Sequence, residues 1–333
     1  MVVVQSYPVA VLLCVVTMLC WGSWANTQKL ATKEWPFQLF YWDYSIGVVL
    51  LSLLFGVTLG SFGDQGRSFF PDLAQAESAA LWSAFLGGVI FNLSNILLVA
   101  SLDIAGMAVA FPIGVGLALS LGVLTTYLTK PEGNPWLLGI GVACILIAIV
   151  VDALAYRRLA AEKQKPSAKG IALAVAAGVL MGFFYRYVVA AMARDFVNPE
   201  PGKLTPYSAV FVFSIGLFLS NFVWNTLVML KPFSGPPVSF RDYFQKGDLR
   251  LHLIGILGGM IWNTGMAFSI IASDAASPAV SYGLGQGATM VAAVWGVFIW
   301  KEFAGAPKGT GKLLTAMFVF YLLGLAILIA AKL

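Results

Sequence analysis

The sequence predicts an all-α polytopic membrane protein whose ten transmembrane helices form a 5+5 inverted repeat. Three observations carry that prediction. The 333 residues are 59% apolar and only 11% charged, against about a quarter charged in soluble chains, and the mean hydropathy is +0.86. Apolar runs of about twenty residues recur along the whole length, and each can cross a ~30 Å hydrocarbon layer as a helix. Two stretches from opposite halves also align without a gap. A β-barrel is excluded, because barrel strands alternate polar and apolar residues and these runs do not.

The spans follow in order, with boundaries good to a few residues. Span 1 covers about 8–27; "MVVVQSYPVAVLLC" has no basic leader before its apolar run, so it reads as a permanent span and not a cleaved signal. Span 2 covers about 37–60, span 3 about 79–101, span 4 about 105–129 and span 5 about 135–156. Spans 6 to 10 cover about 168–193, 206–230, 250–273, 276–300 and 311–331. The first repeat is therefore 1–156, the second 170–333, and the basic stretch 157–169 is a short linker between them.

Loop lysines and arginines orient the spans. One face collects 14 of them, including Lys29, Lys33, Arg157, Arg158, Lys163 and Lys165; the other holds 5, Arg67, Lys130, Arg194, Lys203 and Lys332. The richer face is expected in the cytoplasm, with the linker, and both termini outside a cytoplasmic membrane.

The halves are related in sequence. "LGGVIFNLSNILLVASLDIAG" (86–106) falls on "LGGMIWNTGMAFSIIASDAAS" (257–277), a shift of 171, and superposes Gly87, Gly88, Asn92 and Asp103 on Gly258, Gly259, Asn263 and Asp274. "SIG" at 45–47 falls on "SIG" at 214–216, a shift of 169. Related halves with an odd number of spans must lie upside-down to one another, the arrangement of many secondary transporters.

Polar groups at membrane depth are costly unless they face other helices or a wet cavity. Asn92 and Asn95 share one helix face, as do Asn221 and Asn225. Asn263 mates with Asn92, and Gln286 lies in "YGLGQG". Amides offer donors and an acceptor to a neutral ligand; each alone also serves as interhelical glue. Arg186 is the one base deep in a span, and needs an anionic or carbonyl-rich partner or a route to the headgroups. Trp21, Trp24 and Asn26 in "CWGSWANTQK", with Trp262 and Tyr282, offer flat rings for a planar heterocycle or a sugar face. These residues are the expected substrate site. Asp43, in "FYWDYSIG", has two readings: a proton-coupling carboxylate beside a wet cavity, or an interfacial acid that caps a neighbouring helix. "FPIGVG" (111–116) and "YGLGQG" (282–287) are candidate helix breaks. Asp103 and Asp274 precede spans 4 and 9 and read as helix N-caps.

Other chemistries find little footing. Cys14, Cys20 and Cys144 lie in apolar runs, and a single histidine, His252, gives no metal cluster. "GAPKGTGKLL" fails the phosphate-loop pattern, with Ala306 and Leu313 where Gly and Ser/Thr belong. The net charge of +5 forms no stripe for nucleic acid. No metal or other cofactor is expected.

"YWDY" (41–44), "GGVIFNLSN" (87–95), "GGMIWNTG" (258–265) and "VWGVFIWKEF" (294–303) resemble the ten-span drug/metabolite transporter superfamily, in its glucose/ribose porter and ureide permease branch. On those motifs Asp43, Asn95 and Glu302 match family positions. The short linker departs from plant ureide permeases and is similar to bacterial sugar-importing relatives. The resemblance implies a cavity lined by spans 1, 3, 4, 6, 8 and 9, and proton coupling.

The expectation is a secondary transporter, not an enzyme, importing a small neutral polar metabolite (a ureide or nucleobase, or a sugar) with a proton or another coupling ion. Its partners are the solute, the ion and the lipid bilayer, with a homodimer left open. A drug or metabolite exporter of the same fold and a polytopic membrane enzyme are the alternatives.

Overall fold

The computed structural model describes residues 1–31, 35–159 and 167–333, with the side chains of residues 107 and 108 excepted. Lys33, Lys163, Lys165 and most of the 157–169 linker lie outside the described residues. Among those described there is no β-strand, only one isolated bridge between Met192 and Leu204. Ten helices are long and apolar enough to cross a membrane: Tyr7–Ala31, Phe37–Val57, Ser78–Ala105, Val109–Thr129, Pro135–Leu159, Ala168–Ala191, Pro206–Leu230, Leu249–Ala276, Pro278–Ile299 and Thr310–Ala330. We number them spans 1 to 10. The end carrying the loops after spans 1, 3, 5, 7 and 9 holds most of the lysines and arginines, and is called the basic end.

Three spans are interrupted. Span 1 breaks at Trp24, between Tyr7–Ser23 and Ala25–Ala31. Span 7 breaks after Asn221 and resumes at Trp224. Span 9 breaks at Gln286 and Gly287, inside the glycine-rich stretch, and ends in a π-helical turn, Trp295–Ile299. Span 4 behaves differently: its helix runs unbroken from Met107 to Thr129 with Pro112 inside. Pro112 falls in the second turn, so it removes one intrahelical hydrogen bond without severing the rod.

Glycine sets how close the helices come. A Cβ on Gly88 would run into the Phe213 carbonyl, and one on Gly216 into the Phe85 carbonyl, locking span 3 to span 7. A Cβ on Gly259 would run into the Tyr44 carbonyl, and one on Gly47 into the Ile256 carbonyl, locking span 8 to span 2. Small residues let backbones approach where lipid supplies no hydrophobic drive. Spans 3 and 6, 4 and 6, and 3 and 7 pack together; so do spans 8 and 1, 9 and 1, and 8 and 2. Spans 5 and 10 lie against each other and against 4 and 9. At the end opposite the basic one, the N-terminal ammonium of Met1 donates to the carbonyls of Gly63 (3.3 Å) and Gln65 (2.7 Å), and Lys332 pairs with Glu132 at 3.0 Å.

Candidate functional site

Six spans, 1, 3, 4, 6, 8 and 9, enclose a cavity of about 380 Å³. Its wall is largely aromatic: Trp21 and Trp24 from span 1, Phe91 from span 3, Phe184 from span 6 and Trp262 from span 8. The breaks in spans 1 and 9 place Trp24 and Gln286 on this wall. Trp21 stacks on Trp262 with ring centroids 6.0 Å apart, and Phe91 meets Trp262 at 4.4 Å. The Trp21 indole N–H donates to the Trp262 carbonyl at 3.2 Å, which fixes that ring. Three amides face the space, Gln28, Asn95 and Gln286. The Asn95 amide donates to the Tyr41 hydroxyl at 3.1 Å, which orients it. Gln28, Val99 and Asp103 line both this cavity and a second one of about 250 Å³ that runs past Phe37, Ser234 and Pro236. The space therefore leads toward the basic end.

Toward the other end a buried polar layer closes the bundle. The Tyr185 hydroxyl meets Ser269 Oγ at 2.8 Å, Ser269 meets Ser281 Oγ at 3.0 Å, and Cys14 Sγ lies 3.7 Å from Ser281 Oγ. The Tyr282 hydroxyl donates to the Ala118 carbonyl at 3.1 Å. Outside this layer Lys130, at the end of span 4, pairs with Asp274 of span 8 at 3.3 Å.

The structure sorts the sequence-derived residues. It brings Trp21, Trp24, Asn95, Trp262 and Gln286 together on the cavity. The remaining asparagines lie in helix seams. Asn92 donates to the Leu217 carbonyl (3.1 Å), Ser220 Oγ (2.8 Å) and Asn221 Oδ1 (3.2 Å). Asn263 donates to the Val48 carbonyl (3.0 Å), Asn225 to the Gln38 carbonyl (2.8 Å) and Asn221 to the Tyr41 carbonyl (3.4 Å). Tyr282 belongs to the closing layer. Asn26 lies beyond the cavity, accepting from Trp300 Nε1 at 2.7 Å. Arg186 is exposed, with its guanidinium over the Tyr187 ring.

Asp43 is 1% exposed and stands apart from the cavity lining. Tyr243 donates to its Oδ1 at 2.5 Å, His252 Nδ1 lies 2.9 Å from the same oxygen, and Trp35 Nε1 donates to Oδ2 at 3.2 Å. Tyr243 comes from a short surface helix, Phe240–Lys246, started by a capping box between Ser239 and Asp242. Burial and the Asp43 carboxylate together push the Tyr243 hydroxyl well above the ordinary tyrosine range. A Cβ on Gly255 would collide with that of Asp43, so glycine is what lets span 8 approach the acid.

One expectation is corrected. Asp103 and Asp274 do not cap spans 4 and 9. Span 3 runs on to Ala105 and span 8 to Ala276, and the capping positions are Gly106 and Ser277. Asp103 instead faces the cavity near its basic end, with Ser234 donating to it at 3.3 Å. Sequence reasoning also passed over Phe91, Phe184, Gln28 and Lys29. The first two are indistinguishable from ordinary core in an apolar run; the last two looked like loop.

Fold and cavity together define a multi-pass membrane carrier. The comparisons with known proteins narrow this further: the ureide permease family profile matches residues 40–169 and 163–331, and the chain belongs to that family. It is a membrane transporter and not an enzyme. It is similar to ureide permease 1 of Arabidopsis thaliana, 22% identical over 100% of this chain and 99% of that one, and to ureide permease 2 of the same plant, also 22% identical with the same shares. A solved structure, titled only "Crystal structure of protein", aligns over 97% of this chain and 96% of its own with a TM-score of 0.57 at 19% identity, a likeness of fold.

Proposed function

We propose that the chain is a proton-coupled secondary transporter for a small, planar, neutral solute of the ureide or nucleobase class. The observation that carries this reading is the cavity: flat indole and phenyl faces with three amides, Gln28, Asn95 and Gln286, at their edge. Such a solute presents N–H and C=O groups in a plane, which amides match with both donors and acceptors while the rings cover its faces. A sugar, with hydroxyls around its whole ring, finds far fewer partners there. The volume lies within the ~300–1,000 Å³ typical of small-molecule sites.

Mirrored contacts support the inverted repeat as the machinery. The Asn92 amide donates to the Leu217 carbonyl as that of Asn263 donates to the Val48 carbonyl, and the shifts of 171 and 169 interchange the two bonds. The same shifts interchange the glycine contacts of spans 3 and 7 with those of spans 8 and 2. Two alike halves can rock about a site between them. The charge asymmetry supports a cytoplasmic basic end, with both termini on the other side; the cavity then faces inward. Asp43 has three hydrogen-bonding neighbours and lies off the cavity, which supports the capping reading: it clasps the Phe240–Lys246 helix to spans 2 and 8.

The test is uptake into proteoliposomes of radiolabelled allantoin, uracil and glucose under an inward proton gradient. We expect saturable accumulation of a heterocycle, weakened about 10-fold in affinity by Asn95→Ala, the loss of one buried hydrogen bond. Accumulation of glucose alone, or of none of the three, overturns the reading.

A further inference from the structure

We propose that Asp152 and Glu302 form a proton-binding site that reaches the cavity through Lys29, and that its charge state sets how firmly spans 1, 5 and 9 are clamped together. Asp152 lies on span 5 at 7% exposure, and its Oδ1 has no hydrogen-bond partner among the described residues. An ionised carboxylate oxygen facing no donor in a low-dielectric interior is strongly disfavoured, and a proton removes that cost. One turn on, the same helix face carries Tyr156. Its hydroxyl donates to Glu302 Oε2 at 2.7 Å, and Lys29 Nζ lies 2.7 Å from Glu302 Oε1. The π-helical turn makes this convergence possible: a Cβ on Gly296 within it would lie 2.9 Å from both Glu302 Oε2 and the Tyr156 hydroxyl. Extra-residue turns of this kind occur frequently at functional sites.

Tyr321 on span 10, which packs against span 5, is fully buried, and its hydroxyl also has no hydrogen-bond partner among the described residues. Of the other ionisable groups nearby, Cys144 lies about two turns back on span 5, and Tyr282 on span 9 donates to the Ala118 carbonyl. Arg157 and Arg158 end span 5 at the exposed surface, Lys312 is exposed at the start of span 10, and Lys301 is exposed beside Glu302. Span 4, against the other side of span 5, has only Tyr127, near its far end. Burial pushes Glu302 up, but hydrogen bonds from Lys29 and Tyr156 and the charge of Lys29 outweigh it and hold it below the ordinary glutamate range. Glu302 therefore stays ionised, and Asp152 is the acid left to accept the proton.

The step is simple in its atoms. A hydronium ion gives up its proton: its O–H bond breaks, an O–H bond forms at Asp152 Oδ1, a neutral water is left, and no bond within the protein breaks. With both acids ionised they repel across Tyr156 and loosen Glu302. With Asp152 protonated, Glu302 holds Lys29 unopposed. Lys29 lines the cavity on the same span as Trp21 and Trp24, so the proton is felt where the solute binds.

This inference rests on the transport reading for its coupling but not for its site, and the experiment separates the two. Infrared difference spectra of the full chain in nanodiscs report a buried carboxylic acid by its C=O stretch. We expect a band that titrates in the wild type, is absent in Asp152→Asn and persists in Asp152→Glu. In proteoliposomes loaded with uracil, one proton per solute sustains about 10-fold accumulation per unit of pH gradient. Asp152→Asn should lower that to the equilibrium ratio while retaining uracil exchange. A band unchanged in Asp152→Asn, gradient-driven accumulation at the wild-type level in that variant, or accumulation driven by sodium instead of protons overturns the proposal. If the wild type accumulates no probe, the transport reading fails, and the infrared band alone decides the site.

Discussion

Asp43 and Asp152 are both carboxylates buried toward the basic end of a membrane bundle, yet their surroundings are opposite. Asp43 has Trp35, Tyr243 and His252 within hydrogen-bonding distance. Asp152 has an oxygen with no partner among the described residues, although Tyr156, one turn on, donates to Glu302. The first acid holds three elements together and lies away from the cavity; the second adjoins a cluster that reaches the cavity through Lys29. Depth in the membrane therefore does not mark the acid that takes part in transport. The partners do.

The largest expected effect tests that contrast directly. A buried group left without its hydrogen-bond partner costs about 1–3 kcal/mol, and Asp43 serves three such neighbours, so Asp43→Ala should lower the thermal midpoint in detergent sharply, read by tryptophan fluorescence. Asp152→Asn removes an unpartnered charge and should leave the midpoint unchanged or raise it. Equal losses in the two variants would erase the distinction.

A smaller effect sharpens it. His252 is 26% exposed, and deleting it leaves Asp43 with two donors. His252→Ala should cost about 1–3 kcal/mol, the penalty for a buried group short of one bond, and less than Asp43→Ala. A His252→Ala loss as large as that of Asp43→Ala would make the histidine, and not the acid, the centre of the clasp.

How much of this was legible beforehand follows from what each residue answers to. The ten spans were legible because hydropathy over about twenty residues reports lipid directly. The glycine and asparagine matches were legible as a repeat, but their use was not. "GGVIFN" and "GGMIWN" read as ligand-binding amides, whereas the glycines bring in a neighbouring backbone and Asn92 and Asn263 bond its carbonyls. A polar residue facing a seam and one facing a void have the same local sequence. The role of Asp43 was ambiguous for a related reason: Trp35, Tyr243 and His252 come from three separate places in the chain. Asp103 was misread because the helix passes two residues beyond it. Asp152 drew no notice next to the basic "YRR" that follows it.

A pH measurement carries the comparison to Glu302. Its folded carboxyl lies below the ordinary value of 4.5, so the stability it contributes is present above that value and is lost as the pH falls through the lower folded one. In an Asp152→Asn background, where Glu302 titrates alone, the gap in thermal midpoint to the further Glu302→Gln variant should hold steady at about pH 5–8 and close below it. A gap that widens on acidification would reverse the sign and place the proton on Glu302.

The smallest expected effect lies at the opposite end, where the base has a second acid beside it. Lys130 pairs with Asp274 at 3.3 Å and with Glu132 at 3.3 Å, so it keeps an anionic partner when Asp274 is neutralised. Asp274→Asn should therefore barely move the thermal midpoint. Its effect belongs to the balance between conformations. The shift of 171 that carries Asp103 to Asp274 also carries Lys130 to Lys301, and neither Asp103 nor Lys301 forms an ion pair among the described residues in this basic-end-open arrangement. If the halves exchange roles, loosening Lys130–Asp274 brings Asp103 and Lys301 together more often. With Cys14, Cys20 and Cys144 replaced, a cysteine pair at 103 and 301 should cross-link faster when Asp274→Asn is added. An unchanged cross-linking rate would make Lys130–Asp274 a fixed surface contact, and would leave the charge state around Asp152 as the one electrostatic lever on the cycle.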